Sequence, residues 1–246
     1  MIYQEFAQFY DDLFEPTMYD RWAQYAIERF PKAGKILDLA CGTGRLVVLL
    51  TQAGFDVTGS DISEDMLALA SDHLIEAELQ PNLVQADMRD LSEFTTYDGI
   101  SCFDDSLCYL LKTSDLVQTF QEVYHHLKPG GKFLFDVISP YQTDVVYPGY
   151  MYNYQDDDRA FLWTSFAGEF APHSVEHELS FFQYNATKQA FERYEELHQE
   201  RTYTVEDYRQ FLLRSGFTDV KVTTDFGKEP FQNNVKRWFF ECVKEG

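Results

Sequence analysis

The stretch Ile36-Leu37-Asp38-Leu39-Ala40-Cys41-Gly42-Thr43-Gly44-Arg45-Leu46 constrains this chain more than any other. An apolar run ends in an acid, a glycine-rich turn follows, and Val47-Val48-Leu49-Leu50 continues as a helix. Strand, turn and helix in this order make the first βα unit of an α/β sheet. Such units hold ligands against backbone N–H groups at the helix N-terminus. The acid selects among ligands. A nucleotide phosphate seated in this turn would meet the Asp38 carboxylate as a like charge, whereas a ligand with a cationic end would be attracted.

Glycine spacing narrows the choice. A dinucleotide fingerprint needs glycine where Val47 stands, and no G-x-x-x-x-G-K-[ST] phosphate loop occurs anywhere. S-adenosylmethionine meets both conditions, because it carries an ammonium and a sulfonium and no phosphate. Further acids fall where the next strands should end. Phe55 to Ile62 reads as a second strand closing on Asp61, 23 residues after Asp38. A carboxylate at about that distance accepts from the vicinal hydroxyls of a ribose. Ser63 is the expected cap of the following helix. A third strand, Asn82 to Ala86, leads to Asp87, placed to accept from an adenine amino group, with the Met88 backbone at the ring edge.

The segments I-L-D-L-A-C-G-T-G, V-T-G-S-D-I-S-E-D-M-L, Q-A-D-M-R-D-L and H-H-L-K-P-G-G-K-F-L-F-D-V together resemble the ordered motifs of class I S-adenosylmethionine-dependent methyltransferases, over about residues 36–137. The resemblance implies an α/β fold with a Rossmann-like, doubly wound, seven-stranded sheet. It also implies a cofactor site at Asp38, Ala40, Gly42, Gly44, Asp61, Ile62, Asp87, Met88 and Phe103. Asp105-Ser106-Leu107-Cys108-Tyr109-Leu110 is similar to the D-S-L-N-Y-L of a small-molecule methyltransferase subgroup, with Cys108 in place of Asn. In that family F-A-x-x-Y-D-x-L followed by Y-x-x-W folds over the methionine end of the cofactor. Tyr10 and Tyr19 match those positions, with Trp22 near.

Composition limits the partners. The net charge of −21, from 20 basic and 41 acidic residues, opposes a polyanion, which counts against a nucleic-acid substrate. No run of 18 apolar residues appears and the first residues lack a basic leader, so the expectation is a cytoplasmic chain without a membrane span. Cys41, Cys102, Cys108 and Cys242 show no metal spacing and read as buried thiols, and no metal site is expected. The oligomeric state is open.

The expected organisation is a helical cap over the cofactor (residues 1–35), a core (36–140 and 204–246) and an inserted antiparallel lid (141–203) on the substrate side. Two helices, Tyr3 to Phe14 and Tyr19 to Phe30, are expected on either side of Pro16. Pro129-Gly130-Gly131 reads as a turn before strand five. In the lid, alternating aromatic and β-branched residues make His177, Glu196, His198, Arg201 and Tyr203 candidates for an inward face. Glu196 and His198 share a side of their strand, and Arg201 falls opposite. Tyr109 and His198 are the candidate catalytic residues. The expected activity is methyl transfer to a small-molecule acceptor. The alternatives are a cofactor-binding regulatory protein without turnover and an enzyme using the same cofactor for another, cofactor-modifying reaction.

Overall fold

The computed structural model describes residues 16–246, so the first expected helix and Tyr10 lie outside the described residues. Helix α1 spans Pro16–Ile27. Pro16, expected between two helices, stands at the first residue of this one. At the first helical position a missing N–H costs nothing, and the fixed φ already suits a helix.

The core alternates strands and helices: β1 (Lys35–Leu39), α2 (Arg45–Gln52), β2 (Asp56–Asp61), α3 (Glu64–Glu76), β3 (Leu83–Gln85), β4 (Tyr97–Cys102), α4 (Thr113–His126) and β5 (Leu127–Ile138). After an insertion come α5 (Val205–Arg214), β10 (Asp219–Thr224), β11 (Glu229–Pro230) and β12 (Arg237–Val243). The sheet order is β3-β2-β1-β4-β5-β12-β10-β11. The first five strands run parallel, and β12 enters antiparallel between β5 and β10. The seven expected strands are therefore extended at the edge by an eighth, of two residues.

Strand alternation sorts the core to two sides. Ile36 joins a cluster with Trp22, Ala26 and Leu50 from α1 and α2, while Leu37 and Leu39 join Phe120, Tyr208 and Leu212 from α4 and α5. Ser63 and Thr204 cap α3 and α5, their side chains accepting from the Met66 and Asp207 amides. Pro129-Gly130-Gly131 is not a turn between elements but a bulge inside β5. Pairing with β4 steps from Tyr97↔Leu127 to Gly99↔Lys132 across it, and Gly130 takes φ +77°. The bulge is held by the last strand, since the Gly130 amide donates to the Lys244 carbonyl and the Lys244 amide to that of Gly131.

The insertion forms a second, antiparallel sheet in simple hairpin order, β6 (Met151–Gln155), β7 (Arg159–Ala167), β8 (Ser174–Asn185) and β9 (Ala190–Arg201). Register fixes its faces. Rows such as Phe161-Phe181-Tyr194, Trp163-Leu179-Glu196 and Ser165-His177-His198 share one face. Leu162, Phe166 and Leu197, on the other, are exposed. The first face meets the core through Tyr109, which follows β4 in a single 3₁₀ turn, Ser106–Tyr109. At the end of β9, Arg201 donates to the Leu111 carbonyl, and Thr202, just past it, to that of Ile138. Among the described residues, no helix is long and apolar enough to cross a membrane, and no group of side chains could hold a metal ion. All four cysteines are buried.

Candidate cofactor and acceptor site

The strand order reverses between β2-β1 and β4-β5, and the crevice beyond the carboxyl ends of β1 and β4 is where such sheets take ligands. The turn after β1 is left-handed at Ala40, Gly42 and Gly44 (φ 53°, 53° and 74°). Its two glycines serve different ends. A Cβ on Gly44 would lie 2.7 Å from the Ala70 Cβ, so this glycine lets α2 start hard against α3. A Cβ on Gly42 would meet nothing within 4 Å, which leaves bare backbone facing open space.

Two carboxylates border this turn. Asp38 is 2% exposed and accepts a 2.7 Å hydrogen bond from Ser101 on the neighbouring strand. Burial, with a smaller push from the Asp61 charge, raises its pKa to about 7 against the pull of Ser101. Asp61 receives the Gly42 amide on one oxygen and the Ser63 amide on the other, both at 2.9 Å, so it ties the glycine turn to the cap of α3. Burial pushes its pKa up as well.

A cavity of about 270 Å³ opens beside them, near the lower end of the range for small-molecule sites (about 300–1,000 Å³). Ala40, Ser60, Asp61 and Ile62 form one wall, Ala86 to Arg89 with Asp115 a second, and Ser106, Tyr109 and Leu110 a third. Open backbone at Gly42 and flanking carboxylates suit a nucleoside with a cationic end. Of the residues expected here, Ala40, Asp61, Ile62, Asp87 and Met88 line the cavity, and so does Tyr109.

Others stand behind it. The Phe103 side chain is buried against Trp22 and Tyr25 and does not line the cavity. Tyr19 meets the Trp22 ring edge-on at 5.5 Å. Asp87 is held by the Arg89 guanidinium, which also reaches Asp115 at 3.2 Å, and this pairing keeps the Asp87 carboxyl below its usual range. Arg89 and Asp115 were not expected from sequence. The motif D-M-R-D holds the arginine, but only the fold supplies Asp115.

A buried network sits behind the crevice. Asp136 on β5 accepts from the Trp22 indole and from Arg237, each at 2.8 Å, and its other oxygen takes the Asp105 amide at 3.1 Å. Arg237 also reaches Asp105 at 2.9 Å and Asp104 at 3.6 Å. Asp104 and Asp105 both adopt positive φ, and the ties to Asp136 and Arg237 hold that strained corner in place. Cys108, where the subgroup carries Asn, is fully buried and faces the core.

On the acceptor side, Tyr109 and His198 come together. The Tyr109 hydroxyl lies 2.9 Å from His198 Nδ1, and Nε2 of the same ring lies 2.7 Å from Glu196. An ionised carboxylate only accepts, so Nε2 carries the proton and Nδ1 accepts from the phenol. Tyr109 is 48% exposed overall, with its ring on the cavity and its hydroxyl end in dense surroundings. That burial, with the charges of Glu200, Asp105 and Asp104, pushes its pKa up. His177 is buried one strand away. The Trp163 indole, which can only donate, points at its Nδ1 at 3.2 Å, so its proton sits on Nε2. Burial first, and then His198, lower the His177 pKa to about 4, leaving it neutral. Tyr203 does not join them: it packs on Tyr208 and Phe211, with its hydroxyl accepting from Thr113.

Comparison with known proteins agrees with this geometry. A family model described as a methyltransferase domain matches residues 36–131. YqeM of Bacillus subtilis (strain 168), named as a methyltransferase, is 40% identical over 246 residues, covering 99% of this chain and 98% of its own. The crystal structure of an S-adenosylmethionine-dependent methyltransferase from Clostridium acetobutylicum ATCC 824 superposes with a TM-score of 0.86 at 28% identity, over 99% of each chain. A glycine/sarcosine N-methyltransferase of Halorhodospira halochloris is 30% identical over 164 residues, 65% of this chain and 59% of its own. A chain with this turn, this strand order and relatives matched along its whole length belongs to the class I S-adenosylmethionine-dependent methyltransferases.

Proposed function

We propose that the chain methylates a small molecule held between the cavity and the inner face of the antiparallel sheet, with Tyr109 and His198 managing the proton. The observation that carries this reading is the hydrogen-bonded series Glu196, His198, Tyr109, which runs from the inserted sheet to the cavity wall.

Asp38, Ala40, Gly42, Asp61, Asp87 and Met88 would hold the cofactor, with Gly44 setting the turn, Ile62 lining its wall, Phe103 acting through backbone and Tyr19 through the Trp22 layer. Bound S-adenosylmethionine supplies an activated methyl group, which is the hard part of the chemistry. The protein aligns the acceptor and excludes water, and such alignment is worth roughly 7–11 kcal/mol of barrier. Tyr109, at the cavity wall, receives the proton that the acceptor sheds as its own proton passes to His198. Glu196 holds the imidazole in the tautomer that accepts from the phenol and stabilises the imidazolium that follows. The name of the Halorhodospira relative, glycine/sarcosine N-methyltransferase, supports an acceptor of this size.

Residues 141–203 would then act as the acceptor lid, and residues 36–140 with 204–246 as the cofactor core. The charge of −21 supports an acceptor other than nucleic acid. The test is release of S-adenosylhomocysteine from the full chain over a library of small amines, alcohols and phenols. Turnover that appears with a small molecule and falls in Tyr109→Phe supports the reading. Turnover confined to protein or RNA substrates overturns it.

A further inference from the structure

We propose that the acceptor carries a cationic nitrogen, an ammonium, seated in a box made by Glu200 and the aromatic rings of Tyr109, Tyr147 and Trp163. The inference rests on the small-molecule reading above and names the acceptor's chemical class.

Glu200 lies on the same side of β9 as Glu196 and His198, at the end nearest the core, and is 6% exposed. One of its oxygens has no hydrogen-bond partner, and the other is 3.6 Å from His177 Nε2, too far to bond. Gln142, on the single π-helical turn Gln142–Val146 that leads into the inserted sheet, is 7% exposed, and its carbonyl oxygen is also unpartnered. These two oxygens are acceptors on side chains more than nine-tenths buried, and beside them the His177 Nε2–H is a donor equally without a partner. Native interiors seldom leave such groups unsatisfied unless a ligand or water completes them.

Tyr147 is their common neighbour. Its hydroxyl meets the Gln142 amide and feels the Asp105 and Glu200 charges. Its ring packs edge-on to His177 at 4.6 Å and tilted to Trp163 at 6.1 Å. Tyr109 closes the box from the core side, its hydroxyl within bonding range of Glu200.

The charges facing Glu200 select the sign of the ligand. Asp104 and Asp105 come from the corner after β4 and Asp136 stands behind them on β5, while Arg237 offsets them from β12. With Glu200 itself, four carboxylates thus stand against one guanidinium, and His177 is neutral. Burial first, and then the Asp105 charge, push the Glu200 pKa well up. A cation in the box reverses that push. Orphaned acceptors and aromatic rings disfavour a carboxylate, and the excess of carboxylates over the one guanidinium favours an ammonium over an alcohol.

The experiment uses the full chain saturated with S-adenosylhomocysteine and three matched probe pairs: cyclohexylamine and cyclohexanol, benzylamine and benzyl alcohol, glucosamine and glucose. Affinities are read at pH 7.5 by saturation-transfer NMR and calorimetry. Each amine should bind at least tenfold more tightly than its partner. Glu200→Gln should cut the preference below threefold with S-adenosylhomocysteine affinity unchanged. Alcohols binding as tightly as amines, or a preference that survives Glu200→Gln, would overturn the inference. Were that variant too unstable to assay, the wild-type pairs decide alone. Turnover of a hydroxyl acceptor without an amine preference would sink the ammonium box yet leave small-molecule methyl transfer standing. Absence of turnover with any small molecule would sink that broader reading instead.

Discussion

Asp38 and Ser101 lie side by side on adjacent parallel strands, joined by a 2.7 Å hydrogen bond at the floor of the crevice. With its pKa pushed up to about 7 by burial, Asp38 keeps its proton in the native state after an unfolded chain has lost it. Stability present below the unfolded value is therefore lost as pH rises through about 7, by at most on the order of 4 kcal/mol at one pKa unit per ~1.4 kcal/mol. Denaturant titrations of the ligand-free chain should show that loss between about pH 4 and 7 and a level profile above it, and Asp38→Asn should flatten the slope. A profile identical in the variant would take Asp38 out of the account.

A cationic ligand beside Asp38 favours its ionised form. S-adenosylmethionine should accordingly bind more tightly at pH 8 than at pH 6 and displace protons near pH 6.5. Calorimetry in two buffers of different ionisation heat measures this, and zero proton release would disconnect Asp38 from the cofactor.

The two glycines of the turn should separate affinity from stability. Gly44→Ala forces a methyl to within 2.7 Å of Ala70 at a positive φ, and should lower stability by roughly 2–4 kcal/mol. Gly42→Ala meets no protein atom, so the strain of its φ should cost only about 1–2 kcal/mol, while the new methyl enters the space a ligand would use. Thermal melts with and without S-adenosylhomocysteine distinguish the two. Equal losses of ligand affinity would contradict the division.

Asp61→Ala removes the acceptor for two backbone amides as well as the proposed ribose ligand. Cofactor affinity should fall by on the order of 1.5–3 kcal/mol, with a smaller loss of stability from the untethered turn. A folded variant that binds as tightly as wild type would reassign Asp61 to structure alone.

Tyr109→Phe and His198→Ala should each lower turnover by about 10²-fold, at the low end of proton-transfer effects, with cofactor affinity nearly intact. The double variant should be little worse than either single, since the two act in series. Multiplicative losses would mean that they act separately.

The cofactor half was legible because its signals are local: an acid at a strand end, two glycines and a serine cap all fall within a few residues of one another. Even there the reading slipped at one proline. Pro129 sits in a bulge where a turn between elements was expected, because a proline marks an irregularity without saying which. The acceptor side was half legible. Alternation put Glu196 and His198 on one face, but nothing local marks Glu200 among the glutamates of β9 as the buried one. Arg237 and Asp105 are 132 positions apart and meet only through the sheet order. Tyr203, chosen by pattern, turned into the core because the chain bends to begin α5.

The acidic and basic groups of the inserted sheet stand at every second position of one strand, Glu196, His198 and Glu200. Deletion of a single codon in the Asn185–Ala190 hairpin, if the chain absorbed it by sliding β9 one place along β8, would present Leu197, Gln199 and Arg201 to the crevice instead. An anionic surface would become a neutral and cationic one in one genetic event, without a change at any residue of the cofactor crevice. Acceptor preference in such a chain is thus free to drift by insertion and deletion, while the glycine turn stays under its own, separate selection.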